Sequence, residues 1–254
     1  MPRNQLLDPY VLCVICTRMA SRRLPHKVAS EIQGKPMLQH IIDRVRACRY
    51  VDDIAIATTI DPEDKWLVEL AKKNDLFCFR GARLDVLDRF YNCAMEYEKQ
   101  HHKRPDVLVR ITHDDPFKDP QIVDLVVRKL IDSHADYASN WLVPTYPLGL
   151  DAEAFTLETL EWAYLNAFGD FEKEHVTPYI YNNKETFRCV GLASTGDLHQ
   201  HRWTVDYPGD LDWTRKIYAK LYPQNPLFGM KEMLALFERE PGLIRTDKDL
   251  FLEG

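Results

Sequence analysis

Residues 16–30 read CTRMASRRLPHKVAS, a stretch that places Arg18, Arg22, Arg23 and Lys27 within ten positions and holds no carboxylate between Asp8 and Glu31. The whole chain carries a formal net charge of -6, so this loop stands out against an acidic background. In a crevice with low-dielectric walls such a cluster focuses positive potential where a polyanion would sit. A triphosphate is the natural guest. Arginine binds phosphate oxygens in a fork, lysine supplies a mobile point charge, and backbone N–H groups ahead of a following helix add donors. A triphosphate usually brings Mg²⁺, which often takes only one or two protein carboxylates. Asp114 and Asp115 in T-H-D-D-P, and Asp206 at the end of R-W-T-V-D, are candidates for that role because each follows an apolar run. Neither G-x-x-x-x-G-K-[ST] nor G-x-G-x-x-G occurs, so P-loop and dinucleotide-binding readings fail.

These side chains need elements that bring them together. VLCVIC (11–16), DIAIATT (53–59), LFCF (76–79), VLVRIT (107–112) and ADYAS (135–139) read as strands. Between them lie helical patterns: KPMLQHIIDRVRAC behind Pro36, a segment capped by Asp61, one from Asp85 to about His101, and one from Pro120 to Ser133. Alternation of this kind predicts right-handed crossovers and an α/β doubly wound fold with a mainly parallel sheet. Ligands of such folds gather beyond the carboxyl ends of the strands. Loops 17–27 and 112–118 both leave strands there and should face one crevice.

From about Asn140 the texture changes, with Pro144, Pro147 and Gly149 in a segment that looks like an inserted arm at about 140–200. Helices are expected at 156–168 and 172–182, strands at 187–193 and 202–206, and helices at 208–222 and 229–239 within a helical tail, 208–254. Without a Gly/Ser linker or a repeat, residues 1–254 read as one domain.

Composition excludes several classes. No run approaches eighteen apolar residues and the N-terminus lacks a secretory pattern, so neither a membrane span nor export is indicated and a cytoplasmic location is expected. An acidic chain of pI near 5.9 argues against general nucleic-acid binding. The six cysteines are expected to be reduced, and Cys13 and Cys16 should point to opposite faces of one strand rather than form a redox pair. His199 and His201 read as surface histidines without a third metal ligand nearby.

Eight motifs in one order then resemble the cytidylyltransferases of the CMP-sugar synthetase group, in particular the SpsF-like branch of spore-coat polysaccharide biosynthesis. They are RMASRRLPHKV, IQGKPMLQHIIDRV, IATT, FRGARLDVLDRFY, VRITHDDP, YPLGLDAEAF, EHVTPYIY and RWTVDYPGDL, spanning about 11–220. The resemblance implies a nucleotide-diphospho-sugar transferase fold, CTP as substrate, Mg²⁺, transfer of CMP onto a small anionic acceptor with release of pyrophosphate, and a homodimer. Carried over by position, Arg18, Arg23 and Lys27 match the triphosphate loop, with Arg18 and Lys27 acting on the reacting phosphates. Asp114 and Asp206 match the metal carboxylates, and Asp114 also borders the nucleotide. Arg80, Gly81, Asp85 and Arg89 fall near the cytosine and ribose. Asp151 and Glu153 within 148–153, together with Glu174, His175 and Thr177, match the surroundings of the acceptor and the dimer arm, and His175 is a candidate general base. Relatives commonly have glycine where this chain has Ala20, His26 and His113, which puts close phosphate contacts in question there. The acceptor is either a 3-deoxy-ulosonic or sialic-type sugar acid or a phosphorylated or phosphonate compound. Two competing readings are a GT-A-like glycosyltransferase, for which Asp210 with Asp212 or Asp247 with Asp249 would have to form the D-x-D metal motif, and a noncatalytic nucleotide-binding subunit.

Overall fold

A computed structural model describes residues 8–246. In chain order the elements are β1 (Val11–Cys16), a hairpin of β2 (Glu31–Ile32) and β3 (Lys35–Pro36), α1 (Met37–Arg46), β4 (Asp53–Thr59), α2 (Lys65–Lys73), β5 (Phe77–Gly81), α3 (Val86–His101), β6 (Val107–Thr112), α4 (Pro120–Asp132) and β7 (Tyr137–Ser139). There follow β8 (Glu153–Thr156), α5 (Leu157–Asn166), α6 (Asp170–His175), α7 (Pro178–Asn182), β9 (Cys189–Gly191), α8 (Pro208–Leu221) and α9 (Met230–Arg239).

Seven strands form one sheet in the order β5-β4-β1-β6-β8-β7-β9. Only β8 runs against its neighbours, antiparallel to both β6 and β7. The central strands β1, β4 and β6 are apolar almost throughout because helices cover both faces of the sheet. One face packs α1, α2, α4, α8 and α9 against Cys13, Ile15, Val107 and Val109. The other packs α3, α5 and α7 against Leu12, Val14, Ala55 and Leu108. A fully buried side chain such as Phe90 of α3 contributes about 1.5–3 kcal/mol through the water it sheds. Cys13 and Cys16 do point to opposite faces, and all six cysteines are free.

The doubly wound, mainly parallel sheet expected from the sequence is present, with local corrections. The segment 140–200 does not simply leave the sheet: it sends β8 between β6 and β7 and adds β9 at the edge. Residues 202–206 are not a strand. Within them only Arg202 makes an isolated bridge, to Leu148, with His201 just before bridging Thr246, and the strand-like composition serves burial of Trp203 and Val205 instead. The single helix expected over 172–182 is split in two at Val176. Its φ of 73° and ψ of -57°, with the Thr177 N–H donating to the His175 carbonyl at 2.9 Å, form the strained γ-turn. Asp61 occupies an N-cap position without capping. Its carboxylate pairs with Arg83 at 3.4 Å. His201 is buried beside Trp203 and Phe237 rather than on the surface, whereas His199 is exposed and pairs with Asp197. Within the expected C-terminal tail, residues 247–254, including Asp247 and Asp249, lie outside the described residues.

Candidate active site

The basic loop begins where β1 ends, and buried hydrogen bonds shape it. The Thr17 N–H continues the ladder to the Ala57 carbonyl at 3.1 Å, and the Met19 N–H then donates to Asp64 at 2.8 Å. Asp64 also accepts from both the Thr58 and Thr59 hydroxyls. Burial raises its carboxyl, but the Met19 and Thr59 bonds outweigh that and hold it below its ordinary value. The loop closes on itself through the His26 N–H to the Met19 carbonyl at 3.1 Å. His26 takes φ 58°, the left-handed conformation that glycine adopts freely and histidine tolerates. Ala20 and His113 have no positive φ. Of the three positions where relatives carry glycine, only His26 therefore keeps a glycine-like backbone.

That closure sets Lys27 into the crevice. Its side chain is 5% exposed, and its ammonium donates to the Val205 carbonyl at 2.8 Å, Asp206 at 3.1 Å and Asp114 at 3.5 Å. Arg23 reaches the same Asp206 oxygen at 2.6 Å and lies over the Tyr207 ring, with 54% of its side chain in solvent. The Val205 N–H donates to the Asp114 carbonyl at 2.8 Å, which fastens the 202–206 segment to the end of β6. Behind it Arg202 forks onto Asp210 at 2.6 and 3.1 Å and reaches Asp206 at 3.3 Å, while Arg245 also reaches Asp210 at 2.6 Å. Arg18 is half-buried and, among the described residues, makes no ion pair. With Arg22 it is a cation left available to a ligand.

Asp114 keeps 29% of its side chain exposed. Burial raises its carboxyl, but the charge of Lys27, then His113 and hydrogen bonds, hold it well below the usual carboxylate range. His113 donates from Nδ1 to the Cys16 carbonyl at 3.0 Å, tying β6 to β1, and burial keeps its imidazole below its ordinary value. Asp115, three residues beyond Thr112, turns away from the crevice. It is buried, accepts from the Thr112 hydroxyl at 2.6 Å and pairs with Lys118 at 2.9 Å. Arg44 and Tyr218 brace this turn from below through the Lys118 and Pro116 carbonyls.

A divalent ion suits these residues. Asp114 and Asp206 share one cation and stay partly open, and a Mg²⁺ site that borrows phosphate oxygens needs no larger protein cage. Among the described residues no group of three or more His, Cys, Asp and Glu side chains could hold a metal by itself. Asp210 cannot open a D-x-D pair with Asp212, because it is sealed beneath Arg202 and Arg245.

The residues expected around the base are engaged in holding their loops. Arg80 donates to the Thr59 and Asp61 carbonyls at 2.9 and 2.8 Å, and Arg89 is buried and donates to the Ala82 carbonyl at 2.6 Å. At Gly81 a Cβ would meet the Phe79 ring at 2.6 Å. Asp85 caps α3 by accepting from the Asp88 N–H at 2.8 Å and pairs with Lys173 at 3.5 Å.

The residues expected around the acceptor divide. Glu153 and Thr177 come together, because Thr177 donates to the Glu153 carboxylate at 2.6 Å. Asp151 accepts from the Gly149 N–H at 3.1 Å, and its carbonyl accepts from Lys118. Glu174 and His175 lie on the exposed face of α6, where His175 packs against Phe171. Sequence reasoning missed Arg110, Tyr137 and Trp141, all of which contact Glu153. A cation inside the apolar run VLVRIT was the available signal for Arg110. A surface depression of about 250 Å³ bordered by Val45, Asp52, Ile54 and Leu76 lies at the amino ends of β4 and β5, away from all of these residues.

Comparison with known proteins bears on the family and the fold. The family described as Cytidylyltransferase matches residues 12–228. The spore coat polysaccharide biosynthesis protein SpsF of Bacillus subtilis is 30% identical over 238 residues, covering 91% of this chain and 95% of that protein. A 3-deoxy-manno-octulosonate cytidylyltransferase of Nitratidesulfovibrio vulgaris is 32% identical over 130 residues, 50% of this chain and 48% of that protein. The structure of a cytidylyltransferase from Leptospira borgpetersenii superposes with a TM-score of 0.84 at 26% identity, covering 94% of this chain and 97% of that one. The family match over most of the chain, together with these relatives and this sheet, places the chain in the cytidylyltransferase family as a CTP-dependent nucleotidyltransferase.

Proposed function

We propose that the chain transfers CMP from CTP to the anomeric hydroxyl of a sugar acid, with Mg²⁺ and with the crevice between the basic loop and Asp114 as the reaction site. The observation that carries this reading is the Lys27 ammonium, one cation shared by Asp114 and Asp206 beyond the carboxyl ends of β1 and β6. The acceptor class is supported by the similarity to 3-deoxy-manno-octulosonate cytidylyltransferases over half the chain.

In this reading the acceptor oxygen attacks the α-phosphorus of CTP in line. The new P–O bond forms as the bond to the bridging oxygen breaks, pyrophosphate departs with the electron pair, and the hydroxyl proton leaves to water. Lys27 and Arg18 stabilise charge on the α-phosphate and leaving group, and Arg23, half in solvent, takes the far end of the triphosphate. Asp114 and Asp206 are the residues that would hold Mg²⁺, which when bound would supply neutralising charge for the phosphates and lower the pKa of the acceptor hydroxyl. Arg80, Gly81, Asp85 and Arg89 keep the loops beside the cytosine in shape, and Asp151, Glu153 and Thr177 shape the acceptor side. Exposed Leu165, Phe168 and Phe171 near Glu174 and His175 form the face of a homodimer. Sedimentation of the wild type and of Phe168→Asp tests that assembly: a wild type that sediments as a monomer removes it.

The reaction is tested by measuring pyrophosphate release from each of the four nucleoside triphosphates, with sugar acids and phosphorylated polyols as acceptors. Release specific to CTP plus a sugar acid is expected. Release only with a phosphorylated polyol would move the acceptor class, and release from no combination would overturn the reading.

A further inference from the structure

Within residues 140–200 the cations are Arg188, Lys173 and Lys184, and none of them touches the acceptor side of the crevice. Strand register brings one from elsewhere. Arg110 of β6 stands directly opposite Glu153 of the antiparallel β8 and forms an ion pair with it. The Glu153 carboxylate is saturated: it accepts from Arg110, from the Tyr137 and Thr177 hydroxyls at 2.6 Å each, and from the Trp141 indole at 3.3 Å. Burial raises this carboxyl, but Arg110 and these donors hold it below its ordinary value. Glu153 is thus a fixed strut. Arg110 is different, since its side chain keeps 18% exposure and its buried Nε has no partner among the described residues.

A second guanidinium shares the same sheet face. Arg89 of α3 donates to the Ala82 and Arg83 carbonyls and reaches the Cys16 thiol, its Nε is likewise unpartnered among the described residues, and Arg110 also lies within electrostatic reach of that thiol. Two guanidiniums set against the single carboxylate of Glu153 leave one positive charge in excess. Trp141 and Tyr181, whose rings meet edge to face at 4.7 Å, wall the space beside Arg110. A few fixed polar groups among aromatic walls is the usual make-up of a small-molecule site.

We propose that Arg110, held by Glu153 and backed by Arg89, binds the carboxylate of the acceptor and so selects a sugar acid. This rests on the cytidylyl-transfer reading above and deepens it. One excess charge matches a carboxylate monoanion, whereas a phosphate dianion would leave negative charge uncompensated beside Asp114. The planar fork suits a carboxylate as well. Arg110 lies two residues before Thr112, about 7 Å along the strand, so an acid gripped there spans roughly a sugar's length to the reaction site near Asp114.

The test uses the full chain with CTP and Mg²⁺, and compares 3-deoxy-manno-octulosonate and N-acetylneuraminate with their methyl esters and with ribitol 5-phosphate. The wild type should prefer an acid over its ester by at least about 100-fold in kcat/KM, because the ester leaves Arg110 unpaired. Arg110→Met should raise the KM for the acid by at least about 30-fold, leave the KM for CTP within about threefold, and erase the preference for acid over ester. Arg110→Lys should recover part of that preference. Because Arg110→Met strands the Glu153 charge, Arg110→Met/Glu153→Gln is measured beside it, with melting curves to show that each variant is folded. Equal use of acid and ester by the wild type, or an Arg110→Met effect confined to CTP, overturns the inference while cytidylyl transfer stands. If the wild type turns over none of the compounds, the transfer reading fails, and tryptophan fluorescence decides this inference separately. A change on adding an acid but not its ester, lost in Arg110→Met, supports it, and no change in the wild type overturns it.

Discussion

Around Lys27 one ammonium serves two carboxylates at 3.1 and 3.5 Å, and a solvent-exposed arginine joins from a loop. Around Glu153 one carboxylate serves four donors and keeps only 5% of its side chain in water. Both clusters hang from β6, yet they hold charge in opposite ways. In the first, cations outnumber what the carboxylates can satisfy at close range, so phosphate oxygens can take over Lys27, Arg18 and Arg23 without leaving a buried group bare. In the second the carboxylate is already fully paired, so it can orient a neighbour but has no capacity left for a ligand of its own. A reaction site needs the loose kind where charge develops and the tight kind where a substrate must be aimed.

Both clusters depend on a rigid support, and the sharpest way to break the comparison is to remove it. Asp210 is fully buried, forked by Arg202 and reached by Arg245, and it also accepts the Asp206 and Tyr207 N–H groups at 2.7 and 2.8 Å. Asp210→Asn should cost about 3–5 kcal/mol in urea unfolding, since it breaks a buried ion network from one side. A loss below about 1 kcal/mol would mean that the Lys27 cluster stands without this base.

Next in size is the effect of Lys27→Ala on chemistry. It should lower kcat by roughly two to three decades if Lys27 acts chiefly on the transition state. Turnover close to that of the wild type would reduce the loose cluster to a structural one.

A smaller effect is read from the acid limb of stability, through Asp114. The folded Asp114 carboxyl lies below its ordinary value, so the stability it contributes is fully present above the unfolded value of about 3.9 and is lost as pH falls through the folded value. Stability measured downward from pH 5 should therefore drop below about pH 4, and Asp114→Asn should flatten that limb. Because Asp114 is partly exposed, added salt should shrink the difference between the two proteins. An unchanged acid limb in Asp114→Asn would show that Lys27 is not held through Asp114.

The least effect belongs to His26→Gly. The left-handed backbone at φ 58° suits glycine, while the unfolded chain gains freedom, so stability should change by no more than about 1 kcal/mol. A large fall in turnover with unchanged melting would instead give the His26 ring a role at the phosphates.

Much of this was readable from the chain. The five leading strands and the helices between them follow from apolar period, and Asp85, read as the start of a helix, is the N-cap of α3. What misled was composition without context. RWTVD looks like a strand because its apolar residues are buried, yet its backbone bonds go to Leu148, Arg245 and Asp114 rather than to a ladder. The stretch EAFT within the supposed arm became β8 because a gap beside β6 had to be filled, and no local signal in four residues states which neighbour they will pair with. Apolar period runs through Val176, but Pro178 has no N–H to continue the helix and opens α7 at its first position, and the Thr177 hydrogen bond to Glu153 fixes the turn between them.

The sequence by itself determined the cation-rich loop, the aspartates after apolar runs, and the alternation of strand and helix, because charge density and side-chain period are properties of a few adjacent residues. The tertiary structure alone decided that Lys27 meets carboxylates 87 and 179 positions away, and that Arg110 faces Glu153. Those meetings depend on crossover connections and on the reversed register of β8, which exist only once the sheet has assembled and its buried polar groups have had to find partners.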